Sequence, residues 1–422
     1  MVVGNMLKDR ISRCFEKSRG IIQNCLCQGN ELRLRQTAFT RERKLTALHI
    51  LRVILKRVYK SLQLSLDDYF DELDMPSVSK QAFSKARQNL NPEFVREFCD
   101  MQGELCAEDD TFVSYRGMRL IAIDGSDLAL ENSKELKEAF GCSGPKKNAA
   151  TALCSIAFAP FEQVIYDCRI DSYAKDERDL AKLHIGRLIE LGLGGSLLLF
   201  DRWYPSAEFI ACLYDAGFPF VMRVREKWNL AADDTKTQRW ITLTRGDKAY
   251  PVRVLKIKLS TGETETLLTT LNQKQLPISQ AGDLYFKRWA VETAYDMLKS
   301  KLQLENFSGK TKVSVLQDFY ATVYLANLAS FIACQADEEI TQLDREKHLK
   351  HPRRANRNRA IDKLRRHFIR MIIEPEQSVR DAILNQIVTA LTEKPVSVVS
   401  GRSPSRKTPR KKRYHTARKS VV

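Results

Sequence analysis

Two short apolar runs that each stop at an aspartate constrain the fold of this chain more than any other feature. Met118–Ile123 (MRLIAI) ends at Asp124-Gly125-Ser126, and Leu197–Phe200 (LLLF) ends at Asp201. Runs of this kind read as strands buried in a sheet. More elements of the same class surround them. Ala152–Phe158 and Gln163–Ile170 read as two further strands, with Pro160 in the turn between. Asp176–Leu193 is an amphipathic helix, capped by Asp176 and stopped by Gly192 and Gly194. Ser206–Ala216 reads as a helix and Phe218–Arg225 as a strand. The fold class is therefore α/β. Carboxylates at the carboxyl ends of strands in an open α/β sheet stand where ligands bind. Aspartate also begins turns for local reasons, so neither residue alone defines a site.

A second pattern lies downstream. Steps of three, four and seven residues separate Tyr285, Arg288, Glu292 and Lys299. An α-helix turns about 100° per residue, so these steps return to nearly one face. A helix over 285–301 would carry a phenol, a guanidinium, a carboxylate and an ammonium in one stripe. A solvated helix with ordinary i,i+4 ion pairs looks similar; the two upstream aspartates give this one its weight. Three carboxylates on separate elements can hold two Mg²⁺ or Mn²⁺ ions about 3.5–4 Å apart, an arrangement suited to phosphoryl transfer. Oxygen donors suit hard cations, and none of the six histidines lies near these acids in sequence. Arg288, Lys299 and Lys301 are expected on DNA phosphates, with Tyr285 hydrogen-bonding or stacking beside them. Asp127 reads as a cap or supporting group in the turn after the strand, and Lys146 and Lys147 as a solvated loop.

The chain has 422 residues and a formal net charge of +17. That length allows two or three domains, and the charge favours a polyanionic partner, of which nucleic acid is the usual one. Residues 1–108 read as a helical N-terminal DNA-binding domain. Lys44–Leu64 is apolar at helical spacing, Met75-Pro76 marks a turn, Ser77 or Ser79 caps the next helix, and Asn91-Pro92 opens another. Short helices about a tight turn, with Lys80, Lys85 and Arg87 exposed, fit a helix-turn-helix-like DNA reader and equally a generic bundle with a basic face. Residues 109–225 form the first part of the α/β core. A β-rich insertion follows at 226–278, with runs at Trp240–Thr244, Tyr250–Leu259 and Thr264–Leu271. Residues 279–340 complete the core, where Val315–Ala336 is expected to cover the sheet. Residues 341–400 form a basic helical region. The tail 401–422 has nine Lys/Arg and no acid, and reads as disordered.

The uncharged run 319–336 approaches the length of a membrane span but carries Asn327, Gln335 and two tyrosines, so it reads as a buried helix and no membrane partner is expected. Met1–Arg10 lacks the apolar core of a secretory signal. Ten scattered cysteines without zinc spacing fit reduced thiols in a cytoplasmic protein.

These motifs resemble those of the DDE (Asp-Asp-Glu) transposases of bacterial insertion sequences, most closely the insertion-sequence-four group. The Y-x2-R-x3-E-x6-K spacing of that group matches Tyr285, Arg288, Glu292 and Lys299. IAIDGS at Ile121–Ser126 looks like its first-aspartate motif and LLLFDRWYPS at Leu197–Ser206 like its second; ENFSG at Glu305–Gly309 looks like its continuation. The group usually has a small residue where this chain has Trp203. The resemblance covers roughly residues 75–335, with the motifs in order.

The resemblance implies a ribonuclease-H-like catalytic core interrupted by a β-rich insertion, with Asp124, Asp201 and Glu292 as catalytic and metal-binding residues. It implies metal-dependent cleavage at element ends, 3′-hydroxyl attack and strand transfer. The implied partners are double-stranded DNA, as terminal inverted repeats and as target, and a second copy of the chain in a homodimer that pairs two ends. A bacterial cytoplasmic protein, on the nucleoid when bound to DNA, follows. Some relatives pass through a DNA hairpin with an insertion-domain Trp stacked on a flipped base; Trp228 and Trp240 lie in the insertion here, in no motif that aligns. Two other readings are a noncatalytic DNA-binding protein on the same fold, which would not need the three acids, and a structure-selective nuclease, which would cut without joining.

Overall fold

Nine strands make one mixed sheet in the computed structural model, which describes residues 2–28, 31–40, 44–57, 61–109, 112–146, 148–225, 228, 237–258, 262–349 and 351–398. The side chains of residues 2–9 and 25–28, Lys147 and the basic tail 401–422 lie outside that description. The chain divides into two compact units. A sheet unit comprises Gly103–Ala129 and Phe140–Asp296; a helical unit comprises Met1–Gln102, Leu130–Ala139 and Met297–Val422.

In the sheet unit the strands are β1 (Leu120–Ala129), β2 (Cys142–Ser143), β3 (Ala149–Ala159), β4 (Val164–Ser172), β5 (Leu197–Phe200), β6 (Phe220–Arg223), β7 (Gln238–Arg245), β8 (Lys248–Lys258) and β9 (Thr264–Thr269). Their order is β2-β3-β1-β5-β6-β9-β8-β7, with β4 also paired to β3. β1, β3 and β4 pair antiparallel, and β5 and β6 join in parallel. Parallel neighbours need crossovers, which here are helical. Between β4 and β5 runs α7 (Glu177–Glu190), and between β5 and β6 runs α8 (Ala207–Asp215). Asp176 caps α7, accepting the Arg178 N–H, and Ser206 caps α8. Gly192 beyond α7 takes the left-handed conformation that a side chain disfavours. The LLLF of β5 is buried throughout, as a strand covered on both faces must be. Near the edge, β7 alternates in exposure from Ile241 onward.

One expectation changes. β1 does not end at Asp124. It runs on to Ala129 because β3 keeps pairing with it, from Ala122↔Phe158 to Ala129↔Thr151. Asp127 is thus an exposed strand residue, not part of a turn. Within the β-rich stretch, β9 pairs antiparallel with β6 and β8 with both β9 and β7, so β7–β9 extend the main sheet.

The expected uniform helix over 285–301 is broken. α9 (Ile278–Phe286) tightens into a 3₁₀ turn at Lys287–Trp289, α10 (Ala290–Asp296) follows, and Met297–Lys301 is a π-helical turn. Both departures change the angle per residue, so the even stripe read from spacing does not extend over the whole segment.

The helical unit holds α1 (Val2–Gln28), α2 (Ala47–Lys56), α3 (Leu62–Asp71), α4 (Lys80–Arg87), most of α5 (Pro92–Ala107) and of α6 (Lys134–Phe140), α11 (Lys312–Glu346), α12 (Arg357–Ile373) and α13 (Gln377–Thr392). A short ladder pairs β10 (Arg353–Arg354) with β11 (Val396–Ser397). α11 packs against α1, α2, α12 and α13. It is long and apolar enough to cross a membrane, but its most apolar window is 94 % buried inside the protein. The helix expected to cover the sheet is thus the hub of the helical unit, and the N- and C-terminal helical regions share one core around it.

Arg87 is a further correction. Expected exposed and on DNA, it is only 1 % exposed. Its guanidinium donates to Asp318 (3.0 Å), Gln317 (2.8 Å) and Ser308 (2.6 Å), fastening α4 to α11. Buried Arg57 pairs with the same carboxylate at 3.3 Å. The basic region 353–366 is partly neutralised: Arg353 pairs with Asp344 and Arg357 with Asp337, both on α11, and Arg366 with Asp362. The described cysteines form no disulfide.

Candidate active site

The parallel pairing of β1 and β5 sets the position of the two aspartates. Its last pair is Ala122↔Leu199. Asp124 and Asp201 each lie two residues further on. The register therefore brings the two residues to neighbouring positions past the end of the β1–β5 ladder, near enough for the Asp201 charge to act on Asp124. β5 stops at Phe200, and Asp201 leaves the sheet with its carboxylate accepting the Trp203 N–H at 2.7 Å. Asp124 remains in β1, and its carboxylate accepts the N–H of Gly125 at 3.1 Å.

Arg288 ties the third acid to the first. From the 3₁₀ turn it donates to Glu292 Oε1 at 2.8 Å and reaches Asp124 Oδ2 at 3.4 Å. Its Nε is buried without an acceptor. Tyr285 is buried beside it, with the guanidinium carbon 5.8 Å from the ring centre. Glu292, in the first turn of α10, keeps 47 % of its side chain exposed. The sheet unit therefore brings together Asp124, Asp201, Tyr285, Arg288 and Glu292. Lys299 and Lys301 belong to the helical unit, where Lys299 lies 3.8 Å from Glu305. Lys80 and Lys85 are exposed in that unit and line a groove of about 660 Å³ with Gln63, Gln81, Lys310 and Thr311.

Both aspartates are pushed above the usual carboxylate range. Burial, with Asp201 and Glu177 beside it, pushes Asp124 up to about 7 despite Arg288. Burial also raises Asp201, against the pull of the Trp203 N–H and Arg288. Perturbed carboxylates in a cleft are a mark of function.

Several site residues carried no sequence signal. Tyr295 is buried and donates its hydroxyl to the Asp124 carbonyl at 2.8 Å. Ser155 donates to the same carbonyl at 3.1 Å and meets His184 Nε2 at 3.0 Å, while His184 Nδ1 meets Asp167 at 2.7 Å. This Ser-His-Asp chain is sealed, with Ser155 and His184 at 0 % exposure, so it braces the main chain at Asp124 and offers no nucleophile. Glu177, in the first turn of α7, and Tyr204, just beyond Asp201, also face the aspartates. Only the position of Glu177 at a helix start after a strand could have hinted at it. Of the tryptophans, Trp203 is 57 % exposed with the Arg225 guanidinium carbon 3.2 Å from its ring centre. Trp228 donates to the Pro205 carbonyl at 2.9 Å, and Trp240 is exposed on β7.

A site of carboxylates alone has donor chemistry that fits a hard divalent cation. Tyr204 adds a fully buried hydroxyl beside Glu177. Among the described residues no three acidic, histidine or cysteine side chains close into a cage, and the guanidinium of Arg288 lies between Asp124 and Glu292.

Comparison with known proteins gives three findings. The family described as "Transposase DDE domain" matches residues 115–328, half of the chain. The Sinorhizobium fredii protein named "Putative transposase y4zB" is 28% identical over 164 residues, which are 34% of this chain and 44% of that protein, so the match spans less than half of the relative. Among solved structures, the cryo-EM structure of the piggyBac transposase synaptic complex with hairpin DNA is similar with a TM-score of 0.45 and 14% identity, covering 80% of this chain and 74% of that one.

Proposed function

This chain belongs to the transposase DDE domain family, and from that premise we propose that it is a DNA transposase that cleaves the ends of an insertion sequence and joins them to target DNA. One observation above all supports the reading: Asp124 and Glu292 meet through Arg288, and Asp201 follows directly on β5, the parallel neighbour of β1. The order of β4, β3, β1, β5 and β6, three antiparallel strands followed by two parallel ones, agrees with a ribonuclease-H-like core.

In this reading Asp124, Asp201 and Glu292 are the side chains that hold two Mg²⁺ or Mn²⁺ ions. When bound, such a pair supplies activation of the attacking hydroxyl and charge stabilisation at the leaving oxygen. Asp124 has to be ionised to serve, so its protonated fraction near neutral pH competes with the metal. Arg288, already buried against two of the acids, orients Asp124 and Glu292 and offers positive charge to a phosphate. Tyr285 holds that guanidinium in place. Lys299 and Lys301 contact neighbouring phosphates, and Lys80 and Lys85 grip the DNA backbone along their groove. The partners are double-stranded DNA and a second copy of the chain, in the cytoplasm.

The test uses a DNA duplex that carries the terminal repeats flanking the reading frame. With Mg²⁺ or Mn²⁺ the wild-type protein gives nicked and joined products. Asp124→Ala, Asp201→Ala and Glu292→Ala each give at least a 10³-fold loss, as expected where a metal-assisted step is removed. Undiminished cleavage by any of the three refutes the assignment, and cutting without joined products indicates a nuclease.

A further inference from the structure

Trp203 stands two residues after Asp201, at a position where the group this chain resembles usually has a small residue. It is 57 % exposed. Lone exposed apolar side chains are ordinary on protein surfaces; this one is held in place. The Trp203 N–H donates to the Asp201 carboxylate at 2.7 Å. The next residue, Tyr204, buries its ring against Phe200 and Phe209, with ring centres 5.1 and 5.8 Å away. The Pro205 carbonyl then accepts the indole N–H of Trp228 at 2.9 Å. The main chain on both sides of Trp203 is therefore pinned, and its side chain is presented to solvent.

Arg225 fixes the ring itself. The β5–β6 ladder pairs Phe200 with Met222, and Trp203 and Arg225 each lie three residues beyond that pair. Val224 donates its N–H to the Thr266 carbonyl at 3.0 Å, and the Arg225 carbonyl accepts the Trp228 N–H at 3.2 Å, so Arg225 is anchored as well. Its guanidinium carbon stands 3.2 Å from the centre of the Trp203 ring, a cation against the negative face of an aromatic system. One face of the indole is taken in this way. Arg225 and Arg202 are both exposed, which sets two positive charges around the aromatic surface. An indole flanked by guanidiniums suits an unpaired nucleobase and its phosphates.

Inside a duplex both faces of every base are covered by its neighbours. An indole finds a free base face only in a single strand or at a strand end, and cleavage beside Asp201 creates such an end. We propose that Trp203 stacks on the terminal base of the cleaved DNA end and, with Arg202 and Arg225 on the adjoining phosphates, keeps that end in the site until it is joined. This rests on the proposed function, since the end is the product of the same acids.

The test places 2-aminopurine, a fluorescent base quenched by stacking, at the end of a pre-cut duplex that carries the terminal repeats. An uncut duplex that continues past the same position is the control. Binding is followed without divalent metal, so that no cleavage intervenes. The full chain is compared with Trp203→Ala and Trp203→Phe, each checked for folding by circular dichroism. The N–H that holds Asp201 belongs to the main chain, so Trp203→Ala keeps that bond. Wild type and Trp203→Phe should quench the terminal base. Trp203→Ala should lose the quenching and bind the pre-cut duplex about tenfold more weakly, with no comparable loss on the uncut duplex. If wild type leaves the base unquenched, or Trp203→Ala quenches as wild type does, while wild type still cuts and joins in Mg²⁺, the stacking role is overturned and the proposed function stands. If both variants lose the cut and uncut duplexes equally, Trp203 serves only its own loop and the inference falls. If wild type neither quenches nor gives nicked or joined products in Mg²⁺, both fall.

Discussion

Arg288 shows how much one side chain can organise. A guanidinium is a planar fork with five donors, and here it spans two carboxylates from different elements, at 2.8 Å and 3.4 Å. Lysine has the charge without the fork. Arg288→Lys is therefore expected to fold normally yet cleave DNA at least tenfold more slowly, as single-turnover assays would show; full activity would mean that charge alone suffices. Asp124 provides a second prediction. Its ordinary value near 3.8 rises to about 7 because burial disfavours the ionised form. A carboxylate raised on folding contributes stability that is complete below its unfolded value and is lost as pH climbs through the folded one. Asp124→Asn removes that loss. The melting temperature of the variant relative to wild type should increase between pH 5 and pH 8 without metal; a constant difference would contradict it.

Between elements, a buried polar tie within the helical unit joins α4 and α11. Asp318 is only 1 % exposed and sits between Arg57 and Arg87, which bring it down from 3.8 to about 2 although burial alone would raise it. A lowered carboxylate stabilises above its unfolded value and ceases to as pH falls through the folded one. Stability of the helical unit should therefore drop between about pH 4 and pH 2, a window read directly from that shift. Asp318→Asn should abolish this dependence and cost about 3–5 kcal/mol at neutral pH, because two buried guanidiniums lose their counter-charge. Denaturant melts across that pH range measure both effects. The same packing explains Arg87. Its position among exposed basic residues in sequence suggested DNA, yet the closeness of α4 to α11 made it an internal partner. The identity of Asp318, 231 positions away, could not be inferred from the residues around Arg87.

For the whole molecule, the net charge of +17 remains the plainest sign of a polyanionic partner, and nine of the basic residues lie in the tail from Gly401. Removing residues 401–422 should flatten the slope of log affinity against log salt for nonspecific DNA, since fewer counterions are released; an unchanged slope would exclude the tail from binding. The α/β class, the strands before Asp124 and Asp201, and the cap at Asp176 were legible in the chain because they depend on local apolar pattern and on spacings of a few residues. The β1–β5 register that brings Asp124 and Asp201 to neighbouring positions, the extension of β1 past Asp124, and the arrival of Glu177 and Tyr204 beside both were not. Those follow from pairing and packing between segments tens of residues apart, whose free energy depends on partners that no local window contains.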